Sequence, residues 1–296
     1  IIILQFSFYI LHSKGKGGET VSIDTEYAYA VARIRAVETK LLDKSRIERM
    51  VDAKSAEEAL KTLIDLDYGY TASEIKSPEQ YEVLLSEEQK KVYTLLKEIA
   101  PQPEVIDLFL LKNDYHNAKV ILKSEFLAHD YDYLLIDTGS IPSAKLKIMI
   151  KDRNLREMPE IMKNAILESM DTFNRTKDPQ IIDLILDKAS FVQIKQIASQ
   201  SNNDFLKELV EILIDMANIK TFVRVKKLGK SWDFLNKVLL EGGKLNQAFY
   251  IARYEEPLES FIDALNFSDY GKVCEEGIGS FIKSGSLTKL EKATDD

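Results

Sequence analysis

The sequence predicts an all-α fold built from three similar helical modules, and three observations predict it. First, the chain repeats itself, imperfectly, on a period of about a hundred residues, the mark of a protein assembled from related units. Asn117-Ala118-Lys119 followed by Val120-Ile121-Leu122-Lys123 returns as Asn218-Ile219-Lys220 followed by Thr221-Phe222-Val223-Arg224, and Tyr29-Ala30-Val31-Ala32-Arg33-Ile34-Arg35 is an earlier echo. Leu135-Ile136-Asp137-Thr138-Gly139-Ser140-Ile141 is answered by Leu239-Leu240-Glu241-Gly242-Gly243-Lys244-Leu245, and Asp67-Tyr68-Gly69 by Asp269-Tyr270-Gly271. Second, helix-start signals and three-four apolar spacing recur along most of the chain. Third, no run of alternating β-branched residues bounded by hairpin turns is present.

Each element follows from its own residues. Ser55-Ala56-Glu57-Glu58 is a capping box, in which hydroxyl and carboxylate satisfy the free donors of a first helical turn. Ser77-Pro78-Glu79-Gln80 places proline where its missing N–H costs nothing, and Ser86-Glu87-Glu88-Gln89 reads either as a further start or as the same helix continuing. Asp178-Pro179 opens another helix, whose core stripe runs through Ile182, Ile185, Leu186, Ile194 and Ile197. From Phe205 a second stripe runs through Leu209, Ile212, Leu213, Met216, Ile219 and Val223, with Lys207, Glu208, Glu211 and Asp215 opposite. Breaks are expected at Pro101-Gln102-Pro103, Asp137-Thr138-Gly139-Ser140, Ser199 to Asn203, Gly242-Gly243 and Gly277 to Gly285. Modules at 21–105, 106–203 and 204–296 follow, and helix is still being written at Thr288 to Lys292. No closing helix matches those of the earlier modules, so the third module is expected to be incomplete.

Composition narrows the function. With 45% apolar and 30% charged residues over 296 positions, the chain has enough material for several packed cores. A net charge of −8 argues against a dedicated nucleic-acid binder and against simple adsorption to anionic lipid, while leaving room for a local basic patch. One cysteine, Cys274, excludes an internal disulfide framework and suits a reducing cytoplasm. The apolar run Ile1 to Leu11 is well short of the ~20 residues that span a bilayer. We read residues 1–20 as translated upstream sequence, since a purine-rich ribosome-binding stretch can encode Lys16-Gly17-Gly18-Glu19 and the alternative start GUG can encode Val21. An ordinary disordered leader and a truncated anchor are the alternatives.

Reactive chemistry finds little support. Glu57-Glu58, Glu87-Glu88 and Glu255-Glu256 belong in first turns or on wet faces, where the helix dipole favours acids. His116 lies in Asp114-Tyr115-His116-Asn117 and reads as a surface or interface side chain. His12, His116 and His129 show no metal-ligand spacing, so no metal or cofactor is expected. Gly277-Ile278-Gly279-Ser280-Phe281-Ile282-Lys283-Ser284 fails as a phosphate loop, because Ile282 stands where glycine is needed. Ser140 and Ser286 lack elbow glycines. Arg35, Lys123 and Arg224 remain, at comparable places in the three echoes. The functional reading makes them partner-binding residues that line a common axis; the bland one makes them solvated helix residues with packed stems.

Asp24-Thr25-Glu26-Tyr27-Ala28-Tyr29-Ala30-Val31-Ala32-Arg33-Ile34-Arg35-Ala36, with Leu66-Asp67-Tyr68-Gly69, resembles the opening of the C subunit of bacterial and archaeal V/A-type ATPases, a relative of the eukaryotic d subunit. Asp114-Tyr115-His116-Asn117-Ala118-Lys119 and Gly139-Ser140-Ile141-Pro142 resemble second-module signatures of that family. The resemblance covers residues from about 22 to 296. Residues 1–20 and the family's final Asn/Lys-type helix with its Gly-Lys turn have no counterpart. What the resemblance implies is a funnel of three modules about a pseudo-threefold axis. Such a protein is not an enzyme and performs no catalysis itself. It sits on the cytoplasmic face of the membrane as a peripheral member of the complex, without a span of its own, and joins central stalk subunits of D and F type to the membrane rotor ring. There it couples ATP to proton or sodium transport. A generic α-helical repeat adaptor in another complex is the alternative, and a helical enzyme with a hidden site the third possibility.

Overall fold

The computed structural model describes residues 27–64, 77–201 and 203–295. The 1–20 leader, Asp24-Thr25-Glu26 and Leu66-Asp67-Tyr68-Gly69 lie outside them. Every regular element among the described residues is helical. The chain divides into two compact units, one of residues up to 117 with 134–147, the other of 118–133 with the chain from 148 onward.

The first unit begins with α1 (Ala28–Glu38), α2 (Lys44–Val51) and α3 (Ala56–Ile64). At the start of α3, Ser55 Oγ accepts from the Glu58 N–H at 3.3 Å, as the box requires. The Glu58 carboxylate reaches back to the Lys54 N–H at 2.8 Å, one residue before the cap. A single 3-10 turn at Pro78–Gln80 runs into α4 (Tyr81–Ile99), so Ser86 to Gln89 continue a helix rather than start one. After Pro101-Gln102-Pro103, α5 (Glu104–Phe126) begins; its residues to 117 belong to this unit, as does the start of α6 (Ser143–Lys151). Leu84, Leu96, Leu108, Leu111, Tyr115 and Leu146 are buried.

The second unit holds α7 (Glu160–Thr176), α8 (Gln180–Gln200), α9 (Asp204–Lys227) and α10 (Trp232–Val238). It continues with α11 (Gln247–Ile251), α12 (Leu258–Leu265), α13 (Gly271–Ser284) and α14 (Thr288–Asp295). Helices α7 and α8 pack together, α8 against α9, and α13 against α12 and α14. A core of Ile219, Phe222, Leu235, Tyr250, Phe261, Cys274, Ile278 and Leu290 joins α9 to the helices after it. At its centre Phe222 stacks on Phe261, ring centroids 4.0 Å apart.

Two expectations are corrected here. The stretch Gly277 to Gly285 is no break: α13 runs through it, and only Gly285, at φ +69, ends the helix in the left-handed conformation. Gly277 serves close approach instead, since a Cβ there would lie 2.8 Å from Leu290 Cα of α14. The face of α9 is also rotated from the predicted one. Leu206, Val210, Ile214, Ile219, Phe222 and Val223 are buried, while Leu209, Ile212 and Leu213 are only partly covered. Asp215, assigned to the wet face, is fully buried.

Candidate functional site

The two best echoes turn out to be the two halves of one contact, made twice. On α5, Asn117 clamps the backbone of Ile136: its Nδ2 donates to the Ile136 carbonyl at 2.7 Å, and its Oδ1 accepts from the Ile136 N–H at 2.8 Å. Asn218 on α9 clamps Leu240 in the same way, at 3.0 Å and 2.8 Å. One turn earlier on each helix stands an aspartate. Asp114 accepts from the Ser140 and Ile141 N–H groups at 3.1 and 3.0 Å. Asp215 accepts from the Lys244 and Leu245 N–H groups at 2.9 and 3.2 Å. The pairs Ile136/Leu240, Ser140/Lys244 and Ile141/Leu245 are those the sequence echo aligns. A helix carrying Asp-x-x-Asn thus latches a glycine-containing loop beside it.

Glycine is needed in each loop because the carboxylate passes so close. A Cβ on Gly139 would lie 2.1 Å from Asp114 Oδ1, and one on Gly243 would lie 2.0 Å from Asp215 Oδ1. Both aspartates are fully buried, which costs several kcal/mol for a carboxylate unless donors replace its water. Burial pushes both carboxyls above their ordinary range, and the hydroxyl and backbone donors oppose it. The third donor differs between the latches. Ser140 Oγ donates to Asp114 at 2.5 Å from within the loop, whereas the Tyr270 hydroxyl donates to Asp215 at 2.7 Å from the start of α13. Tyr270 is the centre of Asp269-Tyr270-Gly271, so this copy of the echo belongs to the second latch.

Helix ends repeat too. Leu127, Ala128 and His129 donate to the carbonyls of Lys123, Glu125 and Ser124 at 2.9, 3.4 and 3.2 Å. Leu228, Gly229 and Lys230 donate to those of Arg224, Lys226 and Val225 at 3.0, 3.1 and 3.2 Å. Ala128 (φ 49) and Gly229 (φ 59) hold the same left-handed position.

The three basic positions each carry an acidic neighbour. Arg35 pairs with Glu38 at 2.7 Å, Lys123 with Asp183 at 2.7 Å, and Arg224 with Glu291. All three pairs are partly exposed, the kind worth about 0–1 kcal/mol. His116, half-buried, places Nε2 2.9 Å from the Leu134 carbonyl beside the first latch. Gly277 to Ser284 lies within α13, a helical geometry that wraps no phosphate. Among the described residues, no three His, Cys, Asp or Glu side chains are grouped to hold a metal, and no helix is long and apolar enough to cross a membrane. Burial pushes the Cys274 thiol up to about 12, which keeps it unreactive at neutral pH.

Buried polar side chains that fix a loop to a long helix, twice over, define a helical-repeat protein. Comparison with known proteins makes this specific. The chain belongs to the ATP synthase (C/AC39) subunit family, whose model matches residues 30–296, and it is therefore a subunit of a rotary ATPase. It is 28% identical to the A-type ATP synthase C subunit of Methanocaldococcus jannaschii, covering 91% of this chain and 72% of that protein. With the V-type sodium ATPase C subunit of Enterococcus hirae the identity is 27%, over 92% and 82%. With the A-type ATP synthase C subunit of Pyrococcus horikoshii it is 23%, over 94% and 77%.

Proposed function

We propose that this chain is the non-catalytic coupling component of its rotary ATPase, transmitting rotation between the central stalk and the membrane rotor ring on the cytoplasmic face. The observation that carries the reading is the duplicated latch in a chain of this family. An adaptor under torque must hold its loops in fixed positions on stiff helices, and each latch ties a loop to its helix through one two-bond asparagine clamp and a buried carboxylate. In this reading the modules 21–105, 106–203 and 204–296 surround a common axis, and Arg35, Lys123 and Arg224 face the stalk. Large complementary surfaces on both sides would resist slippage.

Reconstitution tests it. ATP hydrolysis by the head, stalk and ring without this chain should proceed with little ion transport, and adding the chain should restore transport without raising intrinsic hydrolysis. ATP-driven transport that is equally fast without the chain would sink the proposal, as would ATP turnover by the chain alone. Arg35→Glu, Lys123→Glu and Arg224→Glu together should abolish capture of stalk subunits while leaving the melting temperature within a few degrees. Undiminished capture would remove these three residues from the interface.

A further inference from the structure

The net charge of −8 conceals a local reversal. Between α9 and α10 the chain reads Lys226-Lys227-Leu228-Gly229-Lys230-Ser231-Trp232, with Lys237 further along α10 and Asp233 the nearby acid. Leu228 is 64% exposed and Trp232 51%. Gly229 has open space around the position of a Cβ, so the tip of the turn is uncovered, while the Tyr254 hydroxyl donates to the Lys230 carbonyl at 2.6 Å beside it. Three lysines are braced on rings: the ammonium of Lys226 lies 5.3 Å from the Tyr254 ring centre, that of Lys227 5.5 Å from Phe281, and that of Lys230 5.8 Å from Phe234. Lys226 also donates to the Tyr254 carbonyl and Lys227 to that of Gly285. Their stems cover apolar surface, and the exposed Trp232 follows them closely in the chain.

The repeat supplies its own comparison. The turn after α5 has the same backbone path and also exposes apolar side chains, Leu127 and Tyr133. Its charges are Asp130 and Asp132, with Glu125 paired to Arg153 and His129 where the later turn has Lys230. One scaffold therefore carries two turns of opposite sign.

We propose that the α9–α10 turn is a membrane-surface contact, seating Trp232 and Leu228 among the headgroups of anionic phospholipid. Tryptophan prefers that interface because its ring is apolar with one polar edge, and each nearby lysine adds attraction to an acidic leaflet. An acidic protein is the poorer occupant. Protein interfaces favour arginine and are depleted of lysine, whereas every cation from Lys226 to Lys237 is lysine. The contact does not depend on the coupling function, and the two fail in different assays.

Trp232 is the single tryptophan of the chain, so its emission reports on this turn alone. Full-length chain is titrated with vesicles of phosphatidylglycerol and phosphatidylcholine, and with phosphatidylcholine alone. The mixed vesicles should shift the emission to the blue and allow quenching by brominated acyl chains, an effect reversed at about 0.5 M salt. Lys230→Gln with Lys237→Gln should lower partitioning roughly 25-fold, about five-fold per lysine. Leu127→Ser with Tyr133→Ser on the acidic turn should leave it unchanged. Three outcomes would overturn the proposal: no shift on anionic vesicles, an equal shift on neutral ones, or a shift seen only when soluble acidic subunits of the complex are added.

Discussion

Asp215 illustrates how a single buried charge is made tolerable and how its neighbours divide the work. Tyr270 donates to it at 2.7 Å, while the nearby Tyr250 hydroxyl is buried with no hydrogen-bond partner among the described residues. Burial pushes both phenols well above their ordinary range, so neither ionises near neutrality. Removing the two hydroxyls should therefore have unequal effects. Tyr270→Phe takes a donor from a buried carboxylate and should cost about 1.5–3 kcal/mol, whereas Tyr250→Phe removes an unsatisfied group and should be neutral or slightly stabilising. Urea midpoints at constant slope measure both; equal losses would mean that Tyr250 also serves the aspartate. None of this was visible in the periodicity of α9, which assigns a charged residue to water by default. The signal lay in the repeat: Asp114 and Asp215 stand in the same relation as Asn117 and Asn218, and a position acidic in both copies with a glycine loop following is a pattern that solvation does not require.

At the scale of elements, local chemistry was legible and close approach was not. Ser55, Pro78 and Asp178 mark helix starts because a cap is satisfied within a few residues of itself, and the structure has helices beginning there. Glycine is ambiguous, since it marks a turn as readily as a place where another chain segment comes near. Gly285 was the turn and Gly277 the approach, two meanings inside one predicted break. Alanine scanning on α13 separates them. Gly277→Ala drives a methyl group against the Leu290 backbone and should cost about 1–3 kcal/mol. Gly279→Ala meets open space in the same helix and should stabilise by about 0.5–1 kcal/mol. Melting temperatures moving in opposite directions would confirm the distinction; a loss at Gly279 would mean that its surface is covered in the folded chain. The latch glycines belong with Gly277, so Gly139→Ala and Gly243→Ala should each cost about as much.

For the whole molecule the paired latches alter how stability responds to acid. Most carboxylates are held at or below their ordinary values in a folded chain and weaken it when protonated; here Glu57 and Glu79, in first turns, are lowered by backbone and side-chain hydrogen bonds. Asp114 and Asp215 act with the opposite sign. Burial, only partly offset by hydrogen bonds, raises both above the ordinary 3.8, so the folded chain binds their protons at a pH where the unfolded chain has released them. Stability from these two groups therefore rises as pH falls from each raised value toward 3.8, and is flat below it. General self-repulsion of a chain at −8 also eases on acidification, so the wild-type curve alone does not isolate the effect. Comparison with Asp114→Asn and Asp215→Asn does, since those variants keep nearly the same surface charge. Both should be destabilised at pH 7 through donors facing an amide. The gap to wild type should widen as pH falls from 7 toward 4, because only wild type gains from the two protonations. Denaturant titrations at a series of pH values measure that gap, and one that stays constant or narrows would show that the hydrogen bonds of the latches outweigh burial at both carboxyls.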